Sequence, residues 1–502
     1  MSPTHSSRRA MRRCCLGPLL AVCAMTCLGQ TAPPPDAAHT QEKLQQLSAD
    51  LAAAQLRLQD SQKEIQRLQD ELAALQAQFT ATKPTPASPS VAAAPSTPES
   101  TAEKVEILQA EVKQHEQSKV ESVSKYPVHL TGLVLFNTFI DNGNVDNIDL
   151  PSIASPPAAG TSTLTTGASV RQTILGVQVT GPHLFGAQSS GEVNMDFYGG
   201  VPYSNYGTVA GIIRLRTAAM RLNWDRDTIE VGFTDPLISP LTPTSYATVA
   251  EPSLAWAGNL WTWSPQASYR HRFGSAASPH FAWQAGFWDP PTPGYNADAL
   301  FRTSSTGERS GQPAYETRIS FARDARSDGL QLGLGGYYSR QSYPGRSGDS
   351  WAATADWRIP MSRFFELAGE AYRGRAIGGL GGGVYKDVVT GNDPHTGLPA
   401  LRLLNAAGGW TQAKLRFTPT IEANAAVGLD DGFAGDFHSL VLVPGSSNTL
   451  LRARNRMATA NLIFSPRTYL ILSPEYRRIW TWPINSVRST ADIFTLTFGL
   501  RF

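Results

Sequence analysis

Between Tyr126 and Phe502 the sequence carries 28 arginines and 28 acidic residues but only two lysines, Lys386 and Lys414. Many of these charges stand two residues apart: Arg214 and Arg216, Arg270 and Arg272, Glu316 and Arg318, Asp356 and Arg358, Lys414 and Arg416. Glu230, Asp235 and Glu251 lie in the same region. A spacing of two puts both side chains on one face of a strand. Arginines gathered on one face make a field that favours anions, and the guanidinium fork matches carboxylate and phosphate. The competing reading is structural. Glu316 shares a face with Arg318 and Asp356 with Arg358, so these charges could pair and fix the shape of the wall that bears them.

Bond-making chemistry has little support. His129, His183, His271, His280, His395 and His438 are scattered with no metal-ligand spacing, so no metal or cofactor is expected. Gly345-Arg346-Ser347-Gly348-Asp349-Ser350 resembles a hydrolase serine loop only faintly and has no histidine near it. The glycine run Gly378–Gly383 precedes no helix that could hold a phosphate, and reads as a mobile external loop. Formal net charge is +2, and there is no polybasic run, which speaks against nucleic acid as a partner.

The elements that would position these charges are strands. From Val128 the hydrophobic period is two, as in Glu192/Asn194/Asp196 against Val193/Met195/Phe197, or Gln266/Ser268/Arg270/Arg272 against Ala267/Tyr269/His271/Phe273. Sixteen candidate strands follow, near 128–140, 169–180, 188–198, 211–224, 227–234, 262–273, 280–288, 313–323, 329–340, 350–359, 362–375, 408–417, 419–429, 452–464, 467–481 and 491–502. Those at 211–224, 452–464 and 467–481 alternate poorly. Connections alternate between tight turns and long segments, the long ones being 141–168, 199–210, 235–261, 289–312, 341–349, 376–407, 430–451 and 482–490. All long loops at one end, an even strand number and strands of about 9–11 residues describe an all-β transmembrane β-barrel over 126–502. Trp224, Trp256, Trp261, Trp263, Trp357, Trp480 and Trp482 fall near strand ends, where interfacial girdles sit.

Ahead of the barrel, residues 1–29 read as a signal peptide, with arginines 8, 9, 12 and 13 before an apolar run. All four cysteines lie there, so cleavage after Gly29 leaves a chain without thiols. A spacer at 30–39 leads to an α-helical coiled coil over 40–81. Its seam is Leu44, Leu47, Leu51, Ala54, Leu58, Ser61, Ile65, Leu68, Leu72, Leu75 and Phe79, in steps of three and four. A single apolar stripe on a polar helix about 50 Å long needs a partner, so the coil implies an oligomer. A Pro/Ala/Ser linker at 82–101 and a short helix with connector at 102–125 complete the approach.

This architecture resembles trimeric Gram-negative outer-membrane porins of the DcaP-like type, in which a coiled coil precedes a sixteen-stranded barrel. Local similarity lies in Gly191–Gly200, Ile213–Arg216, Val231–Thr234 and Ser264–Arg270. Phe502, preceded by Phe494, Phe498 and Leu500, resembles the signal read by the barrel-assembly machinery. The resemblance implies a homotrimer that passes small, often anionic solutes, a third loop (Asp235 to Trp261) folded into the lumen, and no enzymatic activity. Arginines in outer loops would face lipopolysaccharide phosphates. A second reading is a structural anchor whose coil tethers the membrane to the cell wall; no peptidoglycan-binding domain precedes the coil.

Overall fold

The computed structural model describes residues 126–157, 160, 162–201, 211–275, 279–290, 292, 303–323, 329–442, 452–484 and 487–502. All fall in one compact unit, Thr101–Phe502. The expectations for 1–125, from signal peptide through coiled coil to connector, lie outside the described residues.

Sixteen antiparallel wall strands run in chain order: β1 (Val128–Asn142), β2 (Leu164–Ser169 and Ile174–Leu184, one strand with a break), β3 (Ala187–Asp196), β4 (Arg214–Asn223), β5 (Asp227–Thr234), β6 (Ser264–Phe273), β7 (His280–Trp288) and β8 (Ala314–Ala322). They continue with β9 (Gln331–Tyr343), β10 (Arg346–Pro360), β11 (Phe365–Arg375), β12 (Asn405–Thr418), β13 (Ile421–Gly432), β14 (Arg452–Phe464), β15 (Leu470–Pro483) and β16 (Ser489–Arg501). Each pairs with its chain neighbours, and β1 closes the ring by pairing with β16 on one side and both segments of β2 on the other. The closing seam is extended by Phe502, whose backbone exchanges hydrogen bonds of 2.9 and 3.1 Å with Gly132. Its ring covers that glycine so closely that a Cβ there would lie 2.3 Å from it.

Alternation decides the two faces. Val134, Phe136 and Ile140 of β1, Phe281 and Phe287 of β7, Ile319 of β8, Leu334 of β9, and Phe494 and Phe498 of β16 are all exposed on the outside. A continuous apolar belt of this size is unfavourable in water, at about 25 cal/mol per Å². Facing lipid it is satisfied, and closure leaves no unpaired strand edge there.

The three weakly alternating segments have local causes. In β4 a bulge lies between Leu215 and Thr217. It lets Arg214 and Arg216 share the inner face with Arg221 although their parity differs. In β14 and β15 the inner face is apolar at Met457 and Ile479, whereas Arg454, Arg456 and Arg478 point outward.

Two long connections predicted from sequence are short. Residues 341–349 are mostly strand, because β9 and β10 pair up to Tyr343↔Arg346 around a two-residue turn with Gly345 at φ 72°. This also removes the serine-loop reading, since Arg346–Ser350 is strand. The last connection shrinks to 484–488. Three of the other long connections do not simply project outward. The first (143–163) and sixth (376–404) carry small hairpins, Asn144–Val145 with Ala154–Ser155 and Val388–Asn392 with Pro399–Leu403. Both loops, and the third (235–263), pack against the inner wall. Leu241, Leu254 and Ala257 meet Trp410, Met457, Ile479 and Ile493 in one cluster, and Ile238 and Leu260 meet Tyr337, Tyr372, Ile377 and Leu380 in another.

Candidate pore and its constriction

The third loop is fastened to the inside of the barrel by side chains from many strands. Leu237 N–H donates to Glu316 of β8 (2.9 Å), and the Ile238 carbonyl accepts from Thr354 of β10 (2.7 Å). Glu370 of β11 accepts from the Ser239 hydroxyl and from Leu241 N–H (2.7 Å). Thr244 N–H donates to Gln412 of β12 (2.6 Å), its carbonyl accepts from Asn461 of β14 (2.8 Å), and the Ser245 hydroxyl donates to Glu475 of β15 (2.5 Å). The arc reaches the break in β2, where the fully buried Gln172 binds the Ala247 carbonyl (2.8 Å) and the N–H groups of Val249 and Ala250. A straight strand would have committed Gln172 to the wall; the break turns it onto the loop.

A second arc returns across the lumen. Asn455 donates to the Trp256 carbonyl (2.9 Å), and Gly258, at φ 96°, lies against the backbone of Gly409 and Leu429. Trp261 N–H reaches the Leu380 carbonyl of the sixth loop (3.1 Å). The run Gly378–Gly383 is therefore no mobile external loop: Gly378–Leu380 forms a buried 3-10 turn under Trp261. Three of the tryptophans assigned to girdles are also inside. Trp256 stacks on Tyr385 at 3.7 Å, Trp261 is buried, and Trp263 takes the guanidinium groups of Arg214 and Arg216 at 5.3 and 4.8 Å.

Most charges singled out in the sequence are on the inner face, and most are paired. Arg214 and Arg216 both bind Asp196 (2.7 and 2.9 Å) and also the carbonyls of Ala250 and Val249. Glu230 pairs with Arg221, which also holds Glu192 at 2.9 Å. Arg318 makes a bidentate pair with Asp356 (2.9 and 2.7 Å), both nearly buried. Arg416 pairs with Glu366 (2.9 Å), and Lys414 with Glu422 (3.4 Å). Glu316 is buried under Leu237. Asp235 accepts from the Trp263 indole (2.7 Å) and Glu251 from that of Trp256 (3.4 Å); burial pushes both carboxyls above their usual range. Arg358 is half-buried on the inner face of β10.

Arg270 and Arg272 differ. Among the described residues neither has a carboxylate partner; Arg272 reaches the Asp225 carbonyl, and Arg270 stays exposed on the inner face with Arg318 and Arg272 as its charged neighbours. Gln178 and Thr180 of β2 are likewise exposed inward. This side of the lumen, from β2 to β6, is where the third loop leaves polar wall uncovered.

Sequence reading missed the anchors Gln172, Glu370, Glu475, Asn455 and Asn461. Each stands at an inner position, but nothing in the pattern distinguishes a side chain that grips a loop from one that faces water. In the sixth loop, Asp387 is also buried and Lys386 half-buried. Desolvation lowers the Lys386 ammonium to about 7 and raises the Asp387 carboxyl to about 7, the latter against the Gly378 N–H (2.6 Å). Among the described residues no cluster of ligands could hold a metal.

Neither a protein-family model nor a curated protein matches the chain. Among solved structures, the outer membrane channel DcaP of Acinetobacter baumannii aligns with a TM-score of 0.56 at 14% identity, covering 76% of this chain and 99% of that one. An anion-selective porin from Comamonas acidovorans aligns with a TM-score of 0.48 at 14% identity, covering 75% and 100%. The first alignment shows the fold: a closed sixteen-stranded barrel of the DcaP kind.

Proposed function

We propose that this chain is a Gram-negative outer-membrane porin through which small hydrophilic solutes diffuse passively, with a preference for anions such as carboxylates. The observation that carries the reading is a closed barrel, apolar outside, whose third loop narrows the lumen while leaving inward-facing Gln178, Thr180 and Arg270 exposed. Arg270 and Arg272 supply cationic charge that no carboxylate among the described residues cancels, and this supports anion preference. In this reading the long-loop end faces outward, 126 and Phe502 lie at the periplasmic end, and Phe502 serves as the barrel-assembly signal. The seam of residues 40–81 joins three copies in the periplasm.

Single-channel recording in a planar bilayer under a salt gradient tests the proposal. Discrete conductance steps are expected, with a reversal potential of the sign for anions. Silence from a heat-modifiable, correctly folded barrel would overturn the channel reading, and a cation-signed potential would overturn the preference alone. Deleting 40–80 is expected to weaken the trimer on sizing by light scattering; an unchanged trimer would assign assembly to the walls.

A further inference from the structure

Resting on the outer-membrane reading above, the geometry points to a binding site for a phosphorylated glycolipid of the outer leaflet, of the lipid A type, on the outer wall from β11 to β15. Strand register orders this face into rows. The row nearest the long-loop end runs Arg373, Ala407, Asp431, Arg454, Trp482; the next runs Ala371, Gly409, Leu429, Arg456, Trp480; the third brings in Thr411, Val427, Ala458 and Arg478. Below them the wall turns apolar, from Tyr476 and Phe494 down to Leu470 and Leu500. Counted up from Leu470, the roughly 9–11 residues that a tilted membrane strand needs end near Arg478 and Trp480, so the arginines stand at headgroup level.

The charges are arranged for an anion of more than one phosphate. Trp482 has three guanidinium groups around it, Arg454, Arg456 and Arg488, each within 5.9 Å, and Arg478 lies over Trp480 at 5.5 Å. Arg454 and Arg478 are partly balanced by Asp431 (2.6 Å) and Asp492 (3.5 Å), yet both side chains remain more than two-fifths exposed. Arg456 and Arg488 are exposed and have no carboxylate partner among the described residues. Amphipathic Trp beside Arg suits the boundary between acyl chains and phosphate.

Beside the arginines the outer wall is hollow. A depression of about 650 Å³ runs between Trp357 and Trp480, floored by Ala371, Gly409, Val427 and Ala458. Large side chains fill such positions elsewhere on the wall, Phe281 of β7 and Phe498 of β16 among them. Small residues here leave room for the amphiphile level with Arg456 and Arg478 and one row below Arg454. Charge complementarity and shape agree on one amphiphile.

The test uses the full chain, purified and heat-modifiable, titrated with bis-phosphorylated lipid A while tryptophan fluorescence is followed. Saturable binding is expected. Arg456→Gln with Arg478→Gln should weaken it by roughly tenfold or more, and Ala371→Leu, which fills the hollow without touching charge, should weaken it separately. Equal binding by the arginine variant and the parent, or equal binding of phosphatidylglycerol, would overturn the proposal. So would an arginine variant that loses only its oligomeric state, since the face would then be a contact between copies. Conductance is read in parallel: a silent barrel that binds lipid A fails the channel reading alone, and a conducting one that ignores lipid A fails only this one.

Discussion

The inner wall has two regions that obey one alternation rule but carry opposite contents. From β8 through β16 it is covered by the first, third and sixth loops, and its inward positions hold Met457, Ile479 and Ile493 beside buried Glu316, Glu370 and Glu475. From β2 to β6 it is largely uncovered, and its inward positions hold exposed Gln178, Thr180 and Arg270. Facing the lumen does not by itself make a residue polar or available. What matters is whether a loop lies on it. Over the covered region each polar side chain must find a partner or be left desolvated without one, and the loop backbone supplies those partners. Over the open region water does so, and charge remains for a solute.

The hardest way to break this contrast is to lift the loop. Gly258 sits at φ 96°, and a Cβ there would lie 2.4 Å from the backbone of Gly409 and Leu429. Gly258→Val is expected to unseat the second arc, with backbone strain alone costing about 1–3 kcal/mol. Conductance should rise and the third loop should become open to protease while the barrel remains heat-modifiable. A variant with parental conductance would mean that the second arc does not narrow the pathway.

The open region is probed by its charges. Arg270→Glu with Arg272→Glu should move the reversal potential toward cations. A unit charge at contact distance in bulk-like water contributes about 1 kcal/mol, so removing each positive charge should change ion preference by about fivefold. Unchanged potentials would place the selective field elsewhere.

These two regions were not equally legible in the sequence. Strand number, closure and most strand limits could be read, because the period of two is a local consequence of burying one face in lipid; 227–234, 280–288 and 452–464 agree with β5, β7 and β14 to the residue. The inner positions of Arg270 and Arg318 followed from the same parity. Which of the two is covered did not, since it depends on a loop that contacts strands more than a hundred residues away, as Ser239 does Glu370. Trp256 and Trp261 were misplaced for the same reason: a tryptophan near a strand end looks identical whether it faces lipid or plugs a lumen. The 341–349 segment was misread because polar residues above the membrane continue a hairpin without the apolar half of the alternation.

A gentler perturbation is pH, acting on the sixth loop that packs over Trp261. Asp387 titrates near 7 when seated and near 3.8 when free, so the seated loop holds more protons between those values and its seating weakens as pH rises through them. Lys386 titrates near 7 when seated and near 10.5 when free, so the released loop holds more protons there and seating strengthens from pH 7 upward. The two limbs oppose, and the loop should be least firmly seated near neutrality. Limited proteolysis of 376–404 across pH checks this. Asp387→Asn should weaken the acidic limb and Lys386→Met the basic one; a monotonic profile in the parent would sink the account.

The smallest effect should come from a charge pair at the short-turn end of β11 and β12, below the side chains that anchor the third loop. Arg416 holds Glu366 at 2.9 Å and Glu422 at 3.8 Å, with its own side chain one-third exposed. Exposed pairs of this kind contribute about 0–1 kcal/mol, because solvent screens them and would solvate the partners if the pair were lost. Arg416→Gln is therefore expected to leave the heat-modification midpoint almost unmoved. Glu366 is itself buried, which sets the limit of this reasoning: if it depends on Arg416 as Glu370 depends on the third loop, the midpoint will fall clearly. Such a fall would show that the covered region extends to β11 and β12 at the short-turn end as well, and that the uncovered wall is confined to the side bearing Arg270.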